Sequence, residues 1–276
     1  MHGSTPLLLV ILVGCAGSTT TPGDDEAPTE VRQVSNRAPI AEVEVESLPR
    51  VCPVDMIEVS GDYCTSVESK CLRWTVNPVG NRVCAEFRYP TSCVGKLVRK
   101  RFCIDEYEYP NKKGERPQAW LTWYDAKRAL EARGKRMCTS SEWTMACEGD
   151  KLQPYPYGSG YLRDAGACNF DNPMPEHLSV FSAKRPSDRA SQVLQALLVP
   201  AGSMPRCVSP YGVHDMVGNI DEWVINENGR ENRPPYVSGL KSGHVFGVRN
   251  NCWGLTDVHG PTFSWYETGT RGCLSL

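Results

Sequence analysis

The first apolar block of the chain is LLLVILV, Leu7 to Val13. It is too short to span a bilayer and has the length of a signal-peptide core, so its removal is expected. Residues 16–50 then run rich in Thr, Pro, Glu and Ser, with no aromatic side chain and little periodicity, the pattern of a flexible tether. From Cys52 to Cys103 short apolar pieces such as Met56-Ile57-Glu58-Val59 alternate with turns such as Ser60-Gly61-Asp62, which predicts short strands joined by loops. Two helices follow. Thr122-Trp123-Tyr124-Asp125 has the spacing of a capping box, with Ala126 and Leu130 at helical distance from Trp123 and Gly134 as a stop. Thr139-Ser140-Ser141-Glu142 repeats that start, and the helix runs through Trp143 and Cys147 to Gly149. Beyond Asp150, Pro, Gly and Asn punctuate the chain, which predicts irregular loops with short strands.

Composition narrows the classes. The 276 residues include 24 glycines and 21 prolines, which favours a loop-rich body over a helical bundle. Thirty basic against 32 acidic side chains leave a net charge of −2, which excludes a general electrostatic grip on nucleic acid. No G-x-S-x-G elbow, phosphate loop or H-E-x-x-H occurs.

Thirteen cysteines are the sharpest signal. Leu12-Val13-Gly14-Cys15 resembles a bacterial lipobox, although only His2, and no Lys or Arg, precedes the apolar run. That reading divides the chain into a signal peptide (1–14), a lipidated Cys15 with a disordered tether (15–50) and a folded domain (51–276), of which 51–103 is a cysteine-rich opening section. It implies a bacterial cell-envelope protein held to a membrane through Cys15, with Ala16 pointing to the outer membrane, facing periplasm or surface; an ordinary cleaved signal is the alternative. The other twelve cysteines contain no C-x-x-C pair, which argues against a zinc ribbon or thioredoxin site. An even, dispersed set behind an export signal reads as disulfides. Parity carries one consequence: if all twelve pair, Cys252 is consumed, and if Cys252 is free, a second thiol is free too.

The ordered phrases FCIDEYEYPN (102–111), TWYDAKRALEARGKRMCTSSEWTMACEG (122–149), YPYG (155–158), CNFDNP (168–173), PAGSMP (200–205), SPYGVHDMVGNIDEW (209–223) and RGC (271–273) resemble the formylglycine-generating-enzyme, or sulfatase-modifying-factor, family. The resemblance covers the chain from about Arg50. It implies an α+β domain of the formylglycine-generating-enzyme fold, C-type-lectin-like, loop-rich and here braced by disulfides. SPYGVHDMVGNIDEW gathers oxygen-bearing side chains around turns at Gly212 and Gly218, an arrangement suited to calcium. The resemblance places a structural calcium on Asn219, the backbone of Ile220 and Glu222, with a second site at the Asn169-Phe170 turn. The bland reading is that these side chains cap turns.

Family members that convert a sulfatase cysteine to formylglycine bind copper(I) through two cysteines five positions apart, a soft-ligand choice. Matching Arg249 and Cys252 to that pattern puts Gly247 where the first cysteine belongs, so one ligand is missing. His244 and His259 lie near Cys252 in sequence and, with it, make a candidate copper or iron set. Two functions therefore compete: an oxygen-dependent metal oxidoreductase at the cell envelope that is not a standard formylglycine generator, with Cys252, His244 and His259 as its centre, and a non-catalytic module binding a peptide, glycan or partner protein. Trp253, Trp265 and Tyr266 are candidates to line such a groove.

Overall fold

The computed structural model describes residues 50–227 and 237–276, which belong to one compact unit. The signal peptide, Cys15 and the tether up to residue 49 lie outside the described residues. Among the described residues no helix is long and apolar enough to cross a membrane.

The opening section is built of strands: β1 (Met56–Cys64), β2 (Val67–Glu68), β3 (Cys71–Val76), β4 (Arg82–Phe87), β5 (Ser92–Cys93) and β6 (Leu97–Asp105). α1 (Trp123–Glu131), β7 (Arg136–Met137), α2 (Ser140–Glu148) and α3 (Arg189–Gln195) follow, then β8 (Asp221–Ile225), β9 (Ser238–Lys241), β10 (Thr268–Thr270) and β11 (Gly272–Ser275). β1 and β6 pair antiparallel from Met56–Asp105 to Cys64–Leu97, and the C-terminal β11 joins β6 to give the sheet order β1-β6-β11-β7. A second sheet, β10-β8-β9, sets β10 parallel and β9 antiparallel to β8. Two small ribbons, β2-β5 and β3-β4, complete the opening section.

Both expected helices form, for the expected reason. At α1 Thr122 Oγ1 accepts from the Asp125 amide and the Asp125 carboxylate accepts from the Thr122 amide. Each such cap typically stabilises by about 1 kcal/mol. Trp123, Ala126 and Leu130 make the buried stripe, and Trp123 Nε1 donates to the Val224 carbonyl at 3.0 Å, fixing α1 to β8. At α2 Thr139 and Glu142 make the same box, and Gly149 closes the helix at φ +64°, where a Cβ would strike Pro210. All nine residues of α2 are buried, so it runs through the core rather than over it. α3 is a helix that the Pro- and Gly-punctuated second half did not predict; it is seven residues long and its Asp188 makes no side-chain cap.

All twelve cysteines of the domain pair: Cys52–Cys103, Cys64–Cys93, Cys71–Cys84, Cys138–Cys273, Cys147–Cys252 and Cys168–Cys207. Three bridges staple the opening section, where β3 exposes nearly its whole length and apolar burial alone is thin. Of the other three, two tie α2 and its approach to the C-terminal segment, and Cys168–Cys207 joins two intervening loops to each other.

Candidate functional site

The centre of the molecule is an ion pair with no solvent exposure. Arg271, between β10 and β11, donates from Nε and Nη2 to both oxygens of Glu222 on β8, each at 2.7 Å. Trp143 of α2 donates its Nε1 to the same carboxylate at 2.7 Å, and Arg271 also reaches the carbonyls of Asp105 and His214. Burial disfavours the charge on Arg271, yet Glu222 and its neighbours Glu108 and Asp215 hold the guanidinium protonated. One arginine thereby joins both sheets and the buried helix.

This arrangement bears on the calcium expectation at Glu222. Its carboxylate already takes three N–H donors, which leaves one of about four acceptor directions. Asn219 Oδ1 accepts from Asn169 Nδ2 and the Val199 amide, and its Nδ2 donates to Glu108 and the Val199 carbonyl. At the other turn, Asn169 Oδ1 accepts from Asn172, its carbonyl accepts the Asn219 amide, and the Phe170 amide donates to Cys168. The side-chain oxygens of Asn169, Asn219 and Glu222 are thus engaged by N–H donors as the turns stand, and Phe170 and Ile220 would contribute only backbone oxygens.

The expected centre at Cys252, His244 and His259 is not assembled either. Cys252, fully buried, is bonded to Cys147 of α2, so its sulfur is no thiolate. His259 stacks on Phe263 with ring centroids 3.8 Å apart. His244 faces Asp221 and Glu267 instead. At the position of the absent first cysteine, a Cβ on Gly247 would lie 2.7 Å from Asn250 Oδ1 and 2.9 Å from the His244 amide nitrogen. The backbone has closed over the space that a cysteine side chain needs, and the residues present do not fit the copper(I) site.

What does stand beside the Cys147–Cys252 bridge is a cleft of about 320 Å³ between the β1–β2 turn and α2. Tyr63, Thr65, Ser66, Ser140 and Thr144 line it with Glu148, Lys241 and Trp253. Trp253 Nε1 donates to Glu148 Oε2 at 2.7 Å. Burial pushes the Glu148 carboxyl up to about 8, against the opposing pull of the Trp253 hydrogen bond and the Lys241 charge, which favours its protonated form at neutral pH. The Lys241 ammonium donates to the Cys252 carbonyl at 3.0 Å and lies 5.0 Å from the centre of the Trp143 ring. Lysine, a protonated carboxyl and hydroxyls make a cleft rich in donors, suited to carboxylate or carbonyl oxygens. Of the anticipated groove aromatics, Trp253 lines this cleft, whereas Tyr266 is in the core and Trp265 packs against that cluster. Glu148 and Lys241 were not singled out in the sequence; Glu148 shares one stripe of α2 with Ser140 and Thr144 at i, i+4 and i+8, and that was the available signal.

At one end of the β10-β8-β9 sheet, Asp221, His244 and Glu267 bring ligand atoms within 4.8 Å of one another. Burial, with Glu267 adding for Asp221, pushes both carboxyls up to about 7, and burial lowers His244.

Residues 98–248 match the sulfatase-modifying factor enzyme 1-like domain, over half of the chain, and the chain belongs to that family. It is 30% identical over 118 residues to the "Inactive C-alpha-formylglycine-generating enzyme 2" of Bos taurus, a match covering 42% of this chain and 35% of that protein. The protein of the same name from Mus musculus is 30% identical over 117 residues, 42% of this chain and 33% of its own. The chain spans about a third of the length of these curated relatives. Among solved structures, CarF superposes with a TM-score of 0.51 at 15% identity, over 81% of this chain and 99% of that one, a likeness of fold alone. The fold is therefore the loop-rich, disulfide-braced α+β fold of the formylglycine-generating-enzyme family.

Proposed function

We propose that this chain is an exported, lipid-anchored member of the family that serves as a non-catalytic binding module, taking a carboxylate borne by a glycan or a peptide into the cleft beside Trp253. The observation that carries this reading is the Cys147–Cys252 bridge: it consumes the single cysteine left at the family's copper position, and the residues that follow its two halves, Glu148 and Trp253, line the cleft. The crowded Gly247 supports it from the other side, because no second thiol can be accommodated there. The word "inactive" in the name of the bovine relative accords with it. The cleft itself has the makings of a recognition site: donors from Lys241, Glu148 and the hydroxyls of Ser66 and Thr144, and an indole wall at Trp253 for a sugar ring or side chain.

The mature chain, expressed with its bridges intact, is screened against acidic glycans and against peptides with free C-terminal carboxylates, and binding is measured by calorimetry. Trp253→Ala and Lys241→Met are expected to abolish binding of whichever class is recognised, and the two panels separate glycan from peptide. Formylglycine formed on a cysteine-containing sulfatase peptide by the fully bridged protein would overturn the non-catalytic reading, and a ligand indifferent to both substitutions would remove the cleft from it.

A further inference from the structure

We propose that Asp221, His244 and Glu267 form a binding site for a first-row divalent cation, with zinc the best fit. The site is a product of topology. Asp221 opens β8, and Glu267 sits one residue before β10, which runs parallel to β8; the Asp221 amide donates to the Glu267 carbonyl at 2.8 Å. β9 runs the other way and ends at Lys241, opposite Glu222. Ser242 and Gly243, both at positive φ, then turn the chain so that His244 comes back over the same sheet end. Residues 46 positions apart in sequence are thus gathered by the starts of two strands and the end of a third.

Two observations point to a ion rather than a hydrogen-bonded cluster. First, Glu267 Oε2 is buried without a hydrogen bond of acceptable geometry, in a residue only 6% exposed, and the adjacent Tyr266 hydroxyl that interacts with this carboxyl is itself left unmatched. A buried carboxylate oxygen left unmatched costs on the order of 1–3 kcal/mol or more, so it calls for a partner. Second, His244 Nδ1 stands 3.6 Å from that oxygen. This is too long for a hydrogen bond. It is close to the roughly 3.3 Å edge of a tetrahedron whose metal–ligand bonds are about 2.0–2.1 Å. The competing contact to Nδ1, from the Phe246 amide, is long at 3.4 Å.

Charge and ligand type select the ion. Two acidic side chains, Asp221 and Glu267, are buried together beside His244 at this sheet end, with Arg249 half-buried. A divalent cation would neutralise them. An imidazole among the ligands favours zinc, manganese or iron(II) over calcium and magnesium, which prefer all-oxygen shells. Phe246 and Tyr266 stand edge-on to the His244 ring, at 6.2 and 6.1 Å, and give the site apolar walls. Cys252 takes no part, so this centre is separate from the family's copper position, and it is independent of the cleft reading above.

The test uses the mature chain, stripped with a chelator and dialysed, titrated with zinc, manganese or calcium chloride by calorimetry and by thermal melting. One zinc per chain is expected, with Tm raised by roughly 5–10 °C at a hundredfold excess over Kd. Glu267→Gln and His244→Gln should each weaken zinc at least about 100-fold. His177→Asn, at an exposed histidine, should not change it. Absence of zinc binding, or binding that both site variants retain, overturns the proposal. If a variant fails to fold, zinc-soaked crystals of the unaltered protein decide: an anomalous peak among the three side chains supports the site, and zinc peaks only elsewhere refute it. Repeating the cleft titrations in chelator separates the two readings, since ligand binding there is expected to survive metal removal.

Discussion

Replacing Cys147 and Cys252 together by alanine tests the bridge on which the functional reading rests. The cysteines are 105 positions apart, and in an otherwise unbridged chain closing such a loop would stabilise by about 4.8 kcal/mol on the chain-entropy relation. Cys138–Cys273 already encloses this pair, however, and shortens the path. From Cys147 back to Cys138 is about nine residues and from Cys252 on to Cys273 about twenty-one, so the loop actually closed is roughly thirty residues, worth about 3.6 kcal/mol. The route through Cys168–Cys207 is longer and does not compete. Both sulfurs are fully buried, and the space they leave adds about 1 kcal/mol. The double variant is therefore expected to lose about 4–5 kcal/mol in urea unfolding under non-reducing conditions, roughly 8–18 °C in Tm, with the other five bridges confirmed by peptide mapping. The unaltered domain should show no free thiol among its twelve cysteines. A loss below about 2 kcal/mol, or a titratable Cys252 in the starting protein, would refute the argument and reopen metal-thiolate chemistry at that position.

Rebuilding the family's thiol pair by combining Cys147→Ala with Gly247→Cys is expected not to create a copper(I) site, because a Cβ at 247 meets the His244 backbone and Asn250; a one-to-one copper(I) complex in a chromogenic chelator competition would show that the loop yields. Glu148 governs a pH dependence. Its folded carboxyl is raised to about 8, so the native state holds a proton that the unfolded chain has released, and stability falls as pH rises from 6.5 to 8, by about 2 kcal/mol for this group. The histidines lowered by burial act below 6.5, where acid removes their contribution, whereas Asp221 and Glu267, both raised to about 7, add a decline of their own inside this window that a change at position 148 leaves in place. Glu148→Gln should make the decline in denaturant midpoints between these pH values shallower; an unchanged slope would contradict the assignment. Chelation of calcium should move Tm by less than about 1 °C, since the Glu222 and Asn219 oxygens are already matched by N–H donors; a large fall would mean that this network opens around an ion.

What could be read in the sequence was local chemistry. Thr122 with Asp125, and Thr139 with Glu142, announce α1 and α2 because a cap is satisfied within four residues. α3 gave no such sign: Arg189–Gln195 is short, and Asp188 caps it with nothing. Cysteine parity constrained Cys252 without naming its partner, because spacing carries no information on which sulfurs the fold brings together. The oxygen-rich turn around Asn219 was read as a cation site from its composition. Its true balance depends on Arg271, about fifty residues on, which takes Glu222, and on Asn169, which takes Asn219. His244 stands near Cys252 and His259 in sequence, whereas parallel pairing of β8 with β10 brings Asp221 and Glu267 to it from opposite sides in sequence. The same lesson holds for α2. Its Ser140, Ser141, Glu142, Thr144 and Glu148 look like a solvated face, and every one is buried. Ser140, Thr144 and Glu148 stand at i, i+4 and i+8 on one stripe of the helix, and such a stripe must either face water or meet polar partners. With Trp143 and Cys147 at the centre of the helix the first is excluded, so the helix's polar groups must be answered by other segments, and Arg136, Glu227 and Trp253 are those answers. That requirement, rather than any motif, is what sets a protonated Glu148 at the wall of the cleft.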